Sequence, residues 1–279
     1  MKKACVIGWP IKHSRSPLIH NYWLEKYQIA GLYERRAIEP RDLKEFIRAI
    51  PGNGYVGCNV TIPHKESALA YVDQFDECVA KTSSLNTIYF KDRKICATST
   101  DGDGFLNNIA RAEPTFVFDQ KNILLIGAGG SAKAICERLL RANVKNIYVQ
   151  NRTPARIKEL QRIFGEKIGV VSEATLESQM KQADLLINTT SQGMTGQPAL
   201  HIDLRALLPH ALVADIVYVP LKTDLILQAE ARGLRTVSGL GMLLHQAVEG
   251  FNHWFGMRPQ VTQELFDLVA NDILAELHQ

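Results

Sequence analysis

Two short segments of the chain carry residues able to handle a proton. Asn59-Val-Thr61-Ile-Pro-His-Lys65 closes an apolar run with polar side chains at alternate positions, then a proline and a lysine. Alternation along a strand puts residues 59 and 61 on one face, and a helix opened by Pro63 would carry Lys65 in its first turn. Thr100-Asp101-Gly102 follows a second apolar run and opens a helix expected over 102–112. Hydride transfer to a carbonyl leaves an alkoxide. A lysine ammonium can protonate it, and a carboxylate can hold that ammonium in place. By spacing alone a plainer reading stands beside this one, with Lys65 an exposed helix lysine and Asp101 an N-cap.

A third segment points to a nucleotide. Asn122-Ile-Leu-Leu-Ile126 runs into Gly127-Ala128-Gly129-Gly130-Ser131-Ala132, and a helical pattern follows. In a strand, glycine turn and helix of this kind, Gly127 makes the tight turn and Gly129 lets backbone approach a pyrophosphate. Ala132 is small enough for helix-strand packing. The helix N-terminus adds N–H donors for the anion. The next strand ends at Gln150, where an acidic residue would hold free ribose hydroxyls. Asn151-Arg152-Thr153 stands there instead, with Arg156 close behind. Two guanidiniums and a hydroxyl suit a 2′-phosphate, so NADP is the expected cofactor.

The elements that position these residues read as two α/β series. Strand candidates at 4–7, 33–38 and 55–60 alternate with helices at 17–29, 41–50 and 63–71. Strands at 85–90 and 94–98 follow, joined by the polar turn Lys91-Asp92-Arg93. A second series has strands at 122–126, 146–150, 168–171, 185–188 and 213–217. Two long amphipathic helices, near 240–255 and 261–277, close the chain without strand partners. The expected organisation is a first domain over 1–104, an inserted Rossmann domain over 105–238, and helices over 239–279 returning to the first domain.

With 46% hydrophobic and 22% charged residues the chain has the makeup of an ordinary globular protein. Its net charge of +3, with no basic cluster, argues against a nucleic-acid partner. The five cysteines form no CxxC pair and read as reduced thiols; no histidine spacing suggests a metal. Pro10 and Lys12 interrupt the first apolar run too early for a signal peptide. No apolar stretch approaches the roughly 18 residues of a membrane span. The expected address is the cytoplasm.

Taken in order, Gly8-Trp-Pro-Ile-Lys-His-Ser14-Arg-Ser16-Pro17, Asn59 to Lys65, Asn86-Thr87, Thr100-Asp101-Gly102 and the glycine loop are followed by Asn151-Arg-Thr153, Asn188-Thr-Thr-Ser191-Gln-Gly-Met194, Asp215-Ile-Val-Tyr218 and Gly239-Leu-Gly-Met242-Leu-Leu-His-Gln246. This series closely resembles the shikimate dehydrogenase family over nearly the whole chain. The resemblance implies reversible NADP-dependent reduction of 3-dehydroshikimate to shikimate in a cleft between the domains, by a monomer or homodimer. It makes Lys65 the acid/base and Asp101 its partner on the reacting hydroxyl. Ser14 and Ser16 would hold the substrate carboxylate, and Thr61, Asn86, Tyr218 and Gln246 would line its hydroxyls and ring. Glu77, Ile216, Gly239 and Met242 would lie near the cofactor. Ser83-Ser84-Leu85, where Gly-Ala-Val is usual, and Ser99, where Asn is usual, depart from the family pattern. They leave quinate or a related cyclitol acid open as substrate. A non-catalytic NADP-binding sensor is the reading from another class.

Overall fold

The computed structural model describes residues 1–277. The chain divides into two compact units, one of Met1–Asp101 with Leu244–Val269, the other of Gly102–Leu243 with the described residues from Ala270 onward.

The first unit is built on β1 (Lys2–Gly8), β2 (Gly31–Ala37), β3 (Tyr55–Val60), β4 (Gln74–Phe75), β5 (Thr87–Lys91) and β6 (Lys94–Thr98). They form one six-stranded sheet in the order β2-β1-β3-β5-β6-β4. Strands β1, β2 and β3 are parallel, whereas β5 runs antiparallel to β3 and to β6. The β5-β6 turn is made by Asp92 and Arg93, both at positive φ, as a tight hairpin with the right-handed strand twist requires. Helices α1 (Ser16–Lys26) and α2 (Leu43–Ala49) are the crossovers, and Ile7, Leu43, Ile47, Cys58 and Ile88 meet in the core. A short helix α3 (Glu77–Thr82) and strand β4 were not legible in the sequence, being too brief to carry a period.

One expectation is corrected. No α-helix runs over 63–71; turns lead into a 3-10 segment at Ser67–Tyr71. The N–H of Leu85 takes the carbonyl of Lys65 at 2.9 Å, the acceptor that an α-helix would offer to residue 69. Tertiary pairing thus outcompetes the local helix.

The second unit begins with the bulk of α4 (Asp101–Ala112) and holds β7 (Asn122–Ile126), β8 (Asn146–Gln150), β9 (Ile168–Val170), β10 (Leu185–Asn188), β11 (Leu212–Asp215) and β12 (Arg235–Val237). These are all parallel, in the order β12-β11-β10-β7-β8-β9. The crossovers include α5 (Gly130–Arg141), α6 (Pro154–Phe164), α7 (Glu173–Met180) and α8 (Asp224–Ala231). Strand order reverses beside β7, the switch point at which a doubly wound sheet binds its ligand.

The last helices, α9 (Leu240–Phe255) and α10 (Gln263–Leu277), match the expected positions. Phe251 and Trp254 of α9 join Trp23 and Tyr33 around the buried ring of His20, which stacks on Tyr33 at 4.0 Å. Trp254 Nε1 donates to the Ile88 carbonyl at 2.9 Å. Gly57 makes room for this, since a Cβ there would lie 2.2 Å from that carbonyl oxygen. The five cysteines are free thiols. Among the described residues no helix is long and apolar enough to cross a membrane.

Burial pushes the His20 imidazole down from its ordinary 6.5 to about 3. Below pH 6.5 the unfolded chain therefore takes up a proton that the fold refuses. The stability this neutral ring allows is complete above 6.5 and falls by about 1.4 kcal/mol per pH unit toward 3. Urea unfolding at pH 7, 6 and 5 is expected to show the native protein losing stability faster than a His20→Phe variant by that slope; parallel curves for the two would contradict it.

Candidate active site

Because β5 is antiparallel to β3 and β6, its N-terminal end lies at the same sheet edge as their C-terminal ends. Asn86, Thr61 and Thr100 are thereby gathered from three strands. Main-chain bonds lock the gathering, with Val60 N–H on the Asn86 carbonyl at 2.7 Å and Asn86 N–H on the Thr98 carbonyl at 3.2 Å. Lys65 Nζ and Asp101 Oδ2 form an ion pair at this edge, with side chains 17% and 7% exposed. Both groups are thus largely desolvated, yet not sealed from a ligand.

Asn86 Nδ2 donates to the other carboxylate oxygen, Asp101 Oδ1, at 2.8 Å, and to Thr100 Oγ1 at 2.9 Å. It also lies 3.3 Å from Gln246 Oε1. The Thr100 hydroxyl donates to the Gln246 carbonyl at 2.8 Å, which ties α9 to the site. Asp101 opens α4, where helix N-terminal N–H groups favour a negative charge. The structure therefore brings Lys65, Asp101, Asn86 and Gln246 together. Half-buried Thr61 lies at the same edge, after β3. Ser14 Oγ reaches Ser16 Oγ at 3.3 Å and accepts the Ser16 N–H at 3.3 Å, pairing the two serines where the chain enters α1. Glu77 is exposed at the start of α3. Sequence reasoning gave no role to Thr100 or Thr87, although both stand inside motifs it quoted.

In the second unit the glycine loop follows β7 at the switch point. Its glycines stand there for different reasons. Gly127 has φ +109°, and a Cβ on it would meet Thr189 Oγ1 at 2.6 Å, so fold geometry demands it. Gly129 is exposed, has φ −88°, and a Cβ on it would meet no protein atom within 4 Å. Neither conformation nor packing requires glycine there. An open cradle beside a helix N-terminus fits a pyrophosphate lying against the backbone. Ala128 and Ala132 are buried, Gly130 and Ser131 half-buried at the start of α5. Asn151, Arg152 and Thr153 lead into α6, whose first turn carries Arg156, and the Thr153 side chain does not cap it. Arg152, Thr153 and Arg156 are exposed.

The loop after β11 is fixed by Asp215. Its carboxylate accepts from Asn188 Nδ2 at 2.9 Å, from Val217 N–H at 2.9 Å and from the Thr223 hydroxyl at 2.7 Å. Burial nonetheless raises this carboxyl to about 6. The loop carries Ile216 and Tyr218, both half-buried. Gly239 packs on it so closely that a Cβ would lie 2.3 Å from the Ile216 carbonyl oxygen, and Met242 joins the core of the unit. Among the described residues no group of three or more His, Cys, Asp or Glu side chains could hold a metal ion.

Known proteins share this layout. Residues 6–88 match the model of the shikimate dehydrogenase substrate binding domain, residues 110–197 that of shikimate / quinate 5-dehydrogenase, and residues 239–263 that of the shikimate 5'-dehydrogenase C-terminal domain. A shikimate dehydrogenase (NADP(+)) of Afipia carboxidovorans is 47% identical over 270 residues, 97% of either chain. The chain belongs to the shikimate dehydrogenase family. Within that family, the crystal structure of shikimate 5-dehydrogenase from Thermus thermophilus in complex with NADP(H) and shikimate superposes with a TM-score of 0.87 at 28% identity, covering 98% of this chain and 100% of that one. Quinate dehydrogenase from Corynebacterium glutamicum in complex with NAD gives 0.86 at 26% identity, covering 97% and 100%. The departure from the family pattern at Ser83 has a local meaning. Ser83 sits at the end of α3 in the left-handed region, φ +53°, where the family's more usual glycine is at ease and serine costs about 1 kcal/mol.

Replacing Gly129 by valine is expected to leave the denaturant midpoint near that of the native protein while abolishing NADPH binding, followed by nucleotide fluorescence. A variant that binds NADPH normally would refute the role given to this glycine.

Proposed function

We propose that the chain is an NADP-dependent shikimate dehydrogenase, in which Lys65 and Asp101 form the acid-base pair for reversible reduction of 3-dehydroshikimate to shikimate. The observation that carries this reading is the Lys65–Asp101 ion pair at the strand edge, backed by Asn86. NADP supplies or accepts the hydride. The Lys65 ammonium gives a proton to the oxygen that the hydride leaves charged, and takes it back in the reverse direction. Asp101 orients the ammonium and accepts a hydrogen bond from the same hydroxyl. Ser14 and Ser16 hold the substrate carboxylate, while Thr61, Asn86, Tyr218 and Gln246 read the ring hydroxyls. Such groups both donate and accept, and a site built of them rejects analogues lacking a hydroxyl.

The first unit is the substrate part and the second the NADP part. The open backbone at Gly129 takes the pyrophosphate, and Ala128, Gly130 and Ser131 continue the cradle. Arg152, Thr153 and Arg156, at the N-terminus of α6, hold the 2′-phosphate, with Asn151 shaping their loop through Nδ2 on the Thr153 carbonyl at 2.9 Å. Glu77, Ile216, Gly239 and Met242 border the cofactor. The enzyme works in the cytoplasm as a monomer or homodimer. A non-catalytic sensor has no use for a desolvated lysine-carboxylate pair.

Absorbance at 340 nm with shikimate and quinate, each with NADP and NAD, tests the assignment; shikimate with NADP is expected to be turned over fastest, and a preference for quinate or NAD would overturn it. Lys65→Ala is expected to lower kcat by about 10²–10⁴ with NADP affinity nearly unchanged; full turnover in this variant would remove Lys65 from the mechanism. Arg152→Ala is expected to raise KM for NADP by about ten- to a hundredfold, the worth of one charge-assisted bond, and to spare NAD. Equal effects on both nucleotides would contradict the phosphate assignment.

A further inference from the structure

We propose that Tyr33 and Thr87 are positioning residues whose hydroxyls, acting through Asn59, fix the amide of Asn86 in the orientation that donates to Asp101. The inference rests on the catalytic reading above for its kinetic consequence, but its geometry stands separately.

Each hydrogen bond in this chain has one allowed direction. The Thr100 N–H can only donate, and it meets Asn86 Oδ1 at 2.9 Å. The opposite end of the same amide must then be the NH₂ that faces Asp101. A second fixed point lies deeper. The main-chain carbonyl of Asn86 can only accept, and Asn59 Nδ2 approaches it at 3.2 Å. Asn59 Oδ1 therefore faces the Tyr33 hydroxyl, 2.6 Å away, and Tyr33 must be the donor. Between these points lies Thr87. Its oxygen accepts from Asn59 Nδ2 at 3.2 Å, and its single proton goes to Asn86 Oδ1 at 2.9 Å. Every donor points the same way, from Tyr33 through Asn59, Thr87 and Asn86 to the carboxylate.

Burial makes this order consequential. Tyr33, Asn59, Asn86, Thr87 and Thr100 are each at most 4% exposed, so water cannot replace a lost partner. Burial also keeps the Tyr33 phenol protonated, raising it well above its ordinary range. The ring is held by its stack on His20. Without the Tyr33 proton, the Asn59 amide loses the hydroxyl donor that favours its present orientation over a flipped one at that end. Without the Thr87 hydroxyl, Asn86 Oδ1 loses one of its donors. Either change loosens the amide that holds Asp101, and with it the direction of the Lys65 ammonium. Neither Tyr33 nor Thr87 is among the residues assigned to the substrate, so the effect belongs in kcat rather than in NADP binding.

Three variants separate the hydroxyls from packing. Thr87→Val keeps the shape and removes the hydroxyl, Thr87→Ser keeps the hydroxyl, and Tyr33→Phe keeps the ring stack. In the shikimate and NADP assay, Thr87→Val is expected to lower kcat about tenfold, and Tyr33→Phe about threefold or more, with KM for NADP held within about twofold. Thr87→Ser is expected to remain within about threefold of the native enzyme. Unchanged kcat in both Thr87→Val and Tyr33→Phe, or equal loss in Thr87→Ser and Thr87→Val, would overturn the proposal. Should Thr87→Val fail to fold by circular dichroism, Tyr33→Phe decides alone. A crystal structure of the folded hydroxyl-free variant is a second test, independent of turnover: an Asn86 amide turned or displaced from Asp101 supports the positioning role, and an unmoved one refutes it. A native protein inactive on shikimate would sink the catalytic reading, while the position of the Asn86 amide in that crystal structure would still decide the positioning role.

Discussion

A desolvated lysine-carboxylate pair is the constraint around which the first unit is arranged. Taking two charges out of water costs several kcal/mol each, and their attraction repays this only with good geometry and satisfied remaining valences. The surroundings of Asp101 meet that condition. One carboxylate oxygen takes the Lys65 ammonium, the other takes the Asn86 amide, and the residue opens a helix. Reaching this arrangement explains the antiparallel β5 in an otherwise mostly parallel sheet. Only a reversed strand brings an asparagine at its N-terminal end to the edge where β3 and β6 finish. It also explains why residues 63–71 do not form an α-helix, since the carbonyl of Lys65, which residue 69 would need, is committed to Leu85.

The second unit solves a different problem, that of leaving backbone bare. Its sheet packs apolar runs on both faces, as parallel strands covered by helices must, and it leaves main chain open at the switch point, at Gly129. Gly127 and Gly239 are glycines because neighbouring protein atoms leave no room for a Cβ. Gly129 is a glycine where the protein leaves room to spare. Asp215 then pins the next loop with three inward donors, at the expense of a carboxyl that burial makes harder to ionise.

Much of this was legible in the sequence, and the reasons are local. Strands 122–126, 146–150 and 185–188 announced themselves as short apolar runs, and the glycine turn came directly after the first of them. The closing helices showed a sustained 3.6-residue period. What escaped was either too short to have a period, as with α3, β4 and β12, or decided by distant partners. The helix expected to carry Lys65 is of the second kind. So is the meeting of Tyr33, Asn59, Asn86, Thr87 and Thr100, which depends on strand register rather than on any spacing along the chain. Family resemblance named Lys65, Asp101, Asn86 and Gln246 together; the structure adds how one asparagine amide joins them.

The central claim is that the ammonium of residue 65 and the carboxylate of residue 101 address the same oxygen. A crystal structure of the native protein with shikimate bound reads this directly. Both Lys65 Nζ and an Asp101 carboxylate oxygen are predicted within hydrogen-bonding distance, about 2.6–3.2 Å, of one ring hydroxyl. Shikimate bound with that hydroxyl elsewhere, or with the pair facing its carboxylate, would contradict the account.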